Sequence, residues 1–246
     1  MIIDTTNQID ETFTVTKRQL KDVLTYSYFS LILLYSAVLI LRHGLGYWSA
    51  WGLNNRFHMQ GEATLPALYS GALIFLCAIL LIRISRSSST EARLKRGYLM
   101  LGCIFAFLAL DEWIALHELV GLELERNYEF GGIFYYSWVI PYAGLLLLMV
   151  AVLASWYIQL PNKERIRYTL AGVVYIAGVM GLEMLSASFI DRSSRSMEYE
   201  MYAATLDIII GFEETFEIVG MSLFALALFD VYTRYSGKLK IRISAG

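Results

Sequence analysis

Six apolar runs of membrane-crossing length fill most of this chain, at about 24–41, 64–83, 98–121, 133–158, 168–190 and 205–232. A helix needs roughly 20 mainly apolar residues to cross the ~30 Å hydrocarbon core of a bilayer, whereas a barrel strand needs only about half as many. In lipid every backbone N–H and C=O must be satisfied internally, so runs of this length specify helices. The composition agrees, with 57% hydrophobic and 17% charged residues, where soluble domains carry about a quarter charged. The expected fold is an all-α membrane protein, a bundle of six transmembrane helices forming one domain over 1–246. A short polar N-terminal segment, 1–23, precedes the first helix.

The positive charges set an orientation. Fifteen of the twenty Lys and Arg lie in the N-terminal segment, in the loops after runs two and four, and in the tail. The intervening loops hold only Arg42, Arg56, Arg126, Arg192 and Arg195. A bias that alternates with every loop places both termini in the cytoplasm, as expected for a multi-pass protein of a bacterial inner membrane. The net charge of −2, without a basic patch interleaved with aromatics, gives no reason to expect nucleic acid as a partner. Membrane lipids are the expected surroundings. Asp4, Asp10 and Glu11 argue against a secretory signal, and Thr16 is placed to cap a short helix at the cytoplasmic surface. Cys77 and Cys103 fall inside runs two and three and read as small buried apolar residues. In the first outer loop His43 and His58 stand alone among aromatics, as hydrogen-bonded interfacial residues rather than ligands. Pro141, inside run four, is expected to kink that helix, and Gly172, Gly178 and Gly181 in run five to serve packing.

Against this background the acids stand out. Leu108 to Glu118 reads LALDEWIALHE, placing Asp111, Glu112, His117 and Glu118 in run three. Run five carries Glu183, run six carries Asp207, Glu213, Glu214 and Glu217, and Glu62 precedes run two. A charged side chain at the centre of a membrane helix costs roughly 2.5–3.5 kcal/mol on insertion scales, so such residues are functional candidates. At ~1.5 Å per residue, Asp111, Glu112, Glu183, Glu213 and Glu214 fall in one layer roughly 7–13 Å below the outer boundary. Glu217 lies deeper, while His117, Glu118 and Glu62 lie at the outer mouth. On one continuous helix Asp111 and Glu118 share a face, with Glu112 about 100° to one side and His117 about 120° to the other.

Carboxylates gathered at that depth without Lys or Arg must share protons or bind a cation. Oxygen donors with one imidazole suit a divalent metal such as iron, manganese, magnesium or calcium, singly or as a di-metal centre. The candidate ligands are Glu62, Asp111, Glu112, His117, Glu118, Glu183, Glu213, Glu214 and Glu217. The Glu-x-x-His spacing of carboxylate-bridged di-metal bundles is absent.

The segments GEATLP (61–66) with Tyr69-Ser70, Leu110-Asp111-Glu112 with His117-Glu118, GLEML (181–185) and Glu213-Glu214-x-x-Glu217-x-x-Gly220 occur in this order along the chain. In this the chain resembles a group of bacterial polytopic membrane proteins with no assigned activity. The resemblance implies that the acids and His117 belong together and supplies no reaction. The expected functions are a metalloenzyme acting on a lipid or other small hydrophobic substrate, or a cation- or proton-coupled transporter using the same acids.

Overall fold

The computed structural model describes residues 10–59, 64–193, 197–237 and 239–244. Strand β1 (Asp10–Val15) leads into helix α1 (Lys17–Leu39), which ends in a π-helical turn, Ile40–Gly44. After the short α2 (Asn54–Phe57) come α3 (Leu65–Arg86), α4 (Ala92–Ile114), α5 (Leu116–Glu125), α6 (Val139–Gln159) and α7 (Asn162–Ile176). A second π-helical turn, Ala177–Leu182, joins α7 to α8 (Glu183–Ser193), and the long α9 (Tyr199–Ser236) follows. Strand β2 (Leu239–Ser244) pairs antiparallel with β1, Asp10 opposite Ser244.

Six helical stretches are long and apolar enough to cross a membrane: Lys17–Gly44, Leu65–Arg86, Ala92–Ile114, Val139–Gln159, Asn162–Ser193 and Tyr199–Ser236. Each contains most of one apolar run, with four differences of detail. Thr16 caps as expected, its hydroxyl accepting from the Gln19 N–H while the Gln19 side chain accepts from the Thr16 N–H. What it caps is α1 itself, because nothing between Lys17 and Tyr26 breaks the helix into a separate surface piece. The third run breaks at Ala115 rather than continuing to 121. In the fourth, the helix starts at Val139 instead of 133, so Pro141 sits in the first turn, where its missing N–H disturbs nothing, and no kink is required. Cys77 is buried, but Cys103 is exposed.

The core forms where α3 packs on α4 and α9, and α7 on α9. Cys77, Leu81, Ile84, Tyr98, Ala109, Ile218 and Leu228 are buried there. Helix α6 stands apart, burying only Val139, Leu153 and Trp156. At the end carrying the paired strands, Lys17 and Arg167 each reach Asp230 at 2.6 Å. Glu164, 2% exposed, accepts from the Tyr98 hydroxyl at 3.0 Å and from Arg234.

Two glycines let α7 and α9 cross closely. A Cβ on Gly220 would lie 2.6 Å from the Tyr175 backbone nitrogen, and one on Gly178 would lie 2.9 Å from the Glu213 carbonyl oxygen. Gly172 and Gly181 do not serve packing in this way, since a Cβ on either meets nothing within 4 Å. Gly220→Ala should therefore lower stability by about 1–3 kcal/mol through overpacking, although alanine is the better helix former. Gly144→Ala, where the added Cβ meets nothing within 4 Å, should leave stability unchanged or slightly higher. Thermal unfolding in detergent, followed by circular dichroism, compares the two; equal melting temperatures would refute the tight crossing.

Candidate functional site

Ala115 turns the chain at the site. It adopts φ 51°, ψ 44°, a left-handed conformation that costs an L-residue roughly 1–2 kcal/mol. The break restarts the helix as α5, with the backbone N–H of His117 donating to Asp111 Oδ1 at 2.9 Å. The His117 ring swings to the same carboxylate, its Nδ1 3.4 Å from Asp111 Oδ2. An unbroken helix would hold these two side chains about 120° apart, so the expected angular arrangement of this stretch is corrected by one residue. Tyr142 of α6 donates its hydroxyl to Asp111 Oδ1 at 2.8 Å, and Trp138 meets the His117 ring edge-on at 5.0 Å.

The π-helical turn before α8 acts similarly. One extra residue in a helical turn rotates all that follows by about 100°, and such turns recur at functional sites. Here it precedes Glu183, which lies within hydrogen-bonding reach of Glu213. Ser186, one turn further along, approaches the Glu213 carboxylate at 3.5 Å. Glu112, Glu183 and Glu214 surround Glu217 closely enough to act on its charge, and Tyr175 of α7 faces Glu217, Glu112, Glu214 and Asp111. Asp111, Glu213 and Glu217 are each 6–7% exposed. Glu118 is exposed beside His117 at the edge of the group. Glu62 lies outside the described residues. Among the described residues, no group of three or more His, Cys, Asp or Glu side chains is drawn together as a metal-holding set.

These acids form one end of a cavity of about 1900 Å³. Eight carboxylates line it: Asp111, Glu112, Glu118, Glu125, Glu183, Glu213, Glu214 and Glu217, together with His117 and, among the described residues, no Lys or Arg. The rest of the wall is largely apolar, supplied mainly by α6, α4 and α7. Tyr142, Tyr175, Trp138 and Ser186 escaped the sequence reading. Nothing local marks an aromatic or a serine in an apolar run as site-facing.

Sequence reading also separated what the fold joins. His43 and His58 are not isolated: their Nε2 atoms lie 2.7 and 3.1 Å from the two oxygens of Asp207. Arg42 reaches the same carboxylate at 3.1 Å and lies over the Trp48 ring. Tyr35 donates its hydroxyl to the Asp207 carbonyl at 2.6 Å. Asp207 thus stands apart from the acid group and holds the segment 42–58 onto α9. The residue pairs that bring these groups to Asp207 are 149 to 172 positions apart, and no spacing rule reaches so far.

The pairing of His117 has a measurable signature. Burial alone would lower its pKa, but the Asp111 carboxylate, with Glu112 and Glu118 beyond it, outweighs burial and holds the imidazolium above its usual range. A raised folded-state pKa adds stability below the unfolded-state value, and that contribution is lost as pH rises through the folded-state pKa. In chelator-treated protein, Asp111→Asn should move the His117 titration to lower pH and remove this stability. Imidazole NMR in detergent reads the shift directly, and an unmoved titration would break the assigned pair.

Comparison with known proteins places the chain only at family level. No curated protein matches it, and no solved structure matches it. A family model described as a domain of unknown function (DUF8692) matches residues 19–231, which include every described residue of the acid-lined cavity. The chain belongs to that family.

Proposed function

We propose that this chain is a multi-pass protein of a bacterial inner membrane, with both termini cytoplasmic, that binds a divalent cation among its carboxylates and acts on a membrane-soluble substrate. The orientation is supported by the alternation of Lys and Arg between loops. The observation carrying the functional reading is the continuity of the acid group with a long apolar cavity. A conducting pathway for ions calls for polar or wet surfaces on both sides of its binding site. An acid-lined pocket that opens onto apolar wall instead suits a polar reacting group attached to a hydrophobic body.

The donors suit a hard cation. Glu112, Glu183, Glu213, Glu214 and Glu217 offer carboxylate oxygen, and His117 adds one imidazole. The contact between Glu183 and Glu213 requires a shared proton or a bridging cation. Asp111, occupied by the His117 N–H, the His117 ring and Tyr142, acts as a positioning residue. By engaging Nδ1 it fixes the ring orientation and presents Nε2 as the free nitrogen, as carboxylates behind metal-bound histidines do. A bound divalent ion would supply Lewis acidity and an acidified water. With His117 held as a ligand, those oxygens of the Glu183–Glu213 pair that the ion leaves unengaged would move protons at the substrate's polar group, while the apolar wall excludes bulk water.

Metal analysis of detergent-purified protein tests this reading. Wild type should carry stoichiometric iron, manganese, magnesium or calcium, with affinity falling at least about ten-fold in Glu112→Gln and in Glu214→Gln. Chelation should lower the melting temperature of wild type but not of the variants. A wild type that binds none of these metals would sink the proposal. Metal- or proton-driven flux in proteoliposomes would replace the enzyme by a cation- or proton-coupled transporter using the same acids.

A further inference from the structure

Helix α6 is fastened at its two ends and loose between them. At one end the Tyr142 hydroxyl holds Asp111, and at the other the Trp156 indole N–H donates to the Leu94 carbonyl at 3.1 Å. Tyr157 and Thr169 bond to each other where α6 and α7 meet, and the two helices otherwise pack little on one another. Between the fastenings Leu145, Leu147 and Leu148 line the cavity yet are 53%, 71% and 59% exposed. The cavity is therefore open sideways through the middle of α6 and α7, toward the space a bilayer would fill. Its α6 wall runs from Tyr142 to Ile158, about 24 Å at ~1.5 Å per residue, most of the ~30 Å hydrocarbon depth.

We propose that the occupant is a long-chain lipid, entering from the bilayer between α6 and α7, whose head donates hydrogen bonds and carries no negative charge. The inference rests on the proposed membrane setting of the acid-lined cavity; a divalent ion bound there offsets only two of the negative charges that eight carboxylates can carry. The tail lies along α6 in the apolar part. The head reaches the end lined by eight carboxylates without a Lys or Arg among the described residues, where hydroxyl or ammonium donors find acceptors and an anionic head meets repulsion. Trp138 and Tyr142 also line the cavity, with the Tyr142 hydroxyl on Asp111.

Gly172 of α7 provides the test. It lines the cavity, and a Cβ there meets nothing within 4 Å, so Gly172→Leu projects its branch from an open position into the tail space, with better helix propensity. Gly144→Leu is the control, on α6 but not lining the cavity, with equally open surroundings. Full-length protein in phosphatidylethanolamine–phosphatidylglycerol vesicles is irradiated with octadecanol bearing a tail diazirine, and the labelled peptides are mapped by mass spectrometry. Labelling should concentrate on 145–153 and 172–180, fall at least about ten-fold in Gly172→Leu, and persist in Gly144→Leu. Excess octadecylamine should compete and octadecanoic acid should not. Labelling that is unaffected by Gly172→Leu overturns the tail site, and equal competition by the acid overturns the head assignment. Metal content measured on the same samples separates the two ideas: Gly172→Leu should retain it. A metal-free wild type with the expected labelling would remove the metal alone.

Discussion

Carboxylates in a poorly solvated helix interior repel one another, and each loses hydration that a neighbouring acid does not replace. Relief comes from a proton, a cation, or hydrogen-bond donors aimed at the oxygens. Much of this molecule's architecture supplies one or another of these. At the strand-bearing end Glu164 and Asp230 receive Arg234, Arg167 and Lys17. At the other end Asp207 receives Arg42, His43 and His58. Between them Asp111 receives a backbone N–H and a tyrosine hydroxyl. Among the described residues, Glu183, Glu213 and Glu217 have no arginine or lysine beside them on the cavity wall. That unequal treatment separates acids that hold the fold together from acids that no basic side chain neutralises on the cavity wall among the described residues.

The backbone departures occur where that distinction is made. Ala115 in a left-handed conformation lies two residues before His117, and the π-helical turn at Ala177–Leu182 lies directly before Glu183; each re-aims a side chain that regular helix would point elsewhere. Strain kept at such positions is found where the surrounding packing over-determines it and a site gains from it. Here the packing is the close crossing at Gly178 and Gly220, which fixes α7 against α9 and so sets where the turn can deliver Glu183.

The six long apolar helices were legible in the sequence because they depend on a local quantity, apolar run length. Depth counting placed Asp111, Glu112, Glu183, Glu213 and Glu214 together, and the fold gathers them around one cavity end. Angles were less legible. Position 115 is alanine, not the glycine or asparagine that announces a left-handed residue, so a helical wheel drawn through it misplaces His117. Asp207 counted as one more membrane acid because its partners lie on another helix and in a loop far away in the chain. Pro141 looked like a kink only because the apolar run begins six residues before the helix does.

Asp207 and Asp230 anchor ion-pair clusters toward opposite ends of one continuous helix, α9. Along a helix rising ~1.5 Å per residue they stand roughly 35 Å apart, slightly more than the ~30 Å core of an average bilayer. A single rigid rod therefore fixes the separation of the two polar belts, and α9 works as a caliper. A membrane of matching thickness lets both belts reach water at once. A thinner or thicker one forces the rod to tilt or the lipid to deform, at fractions of a kcal/mol per Å of mismatch.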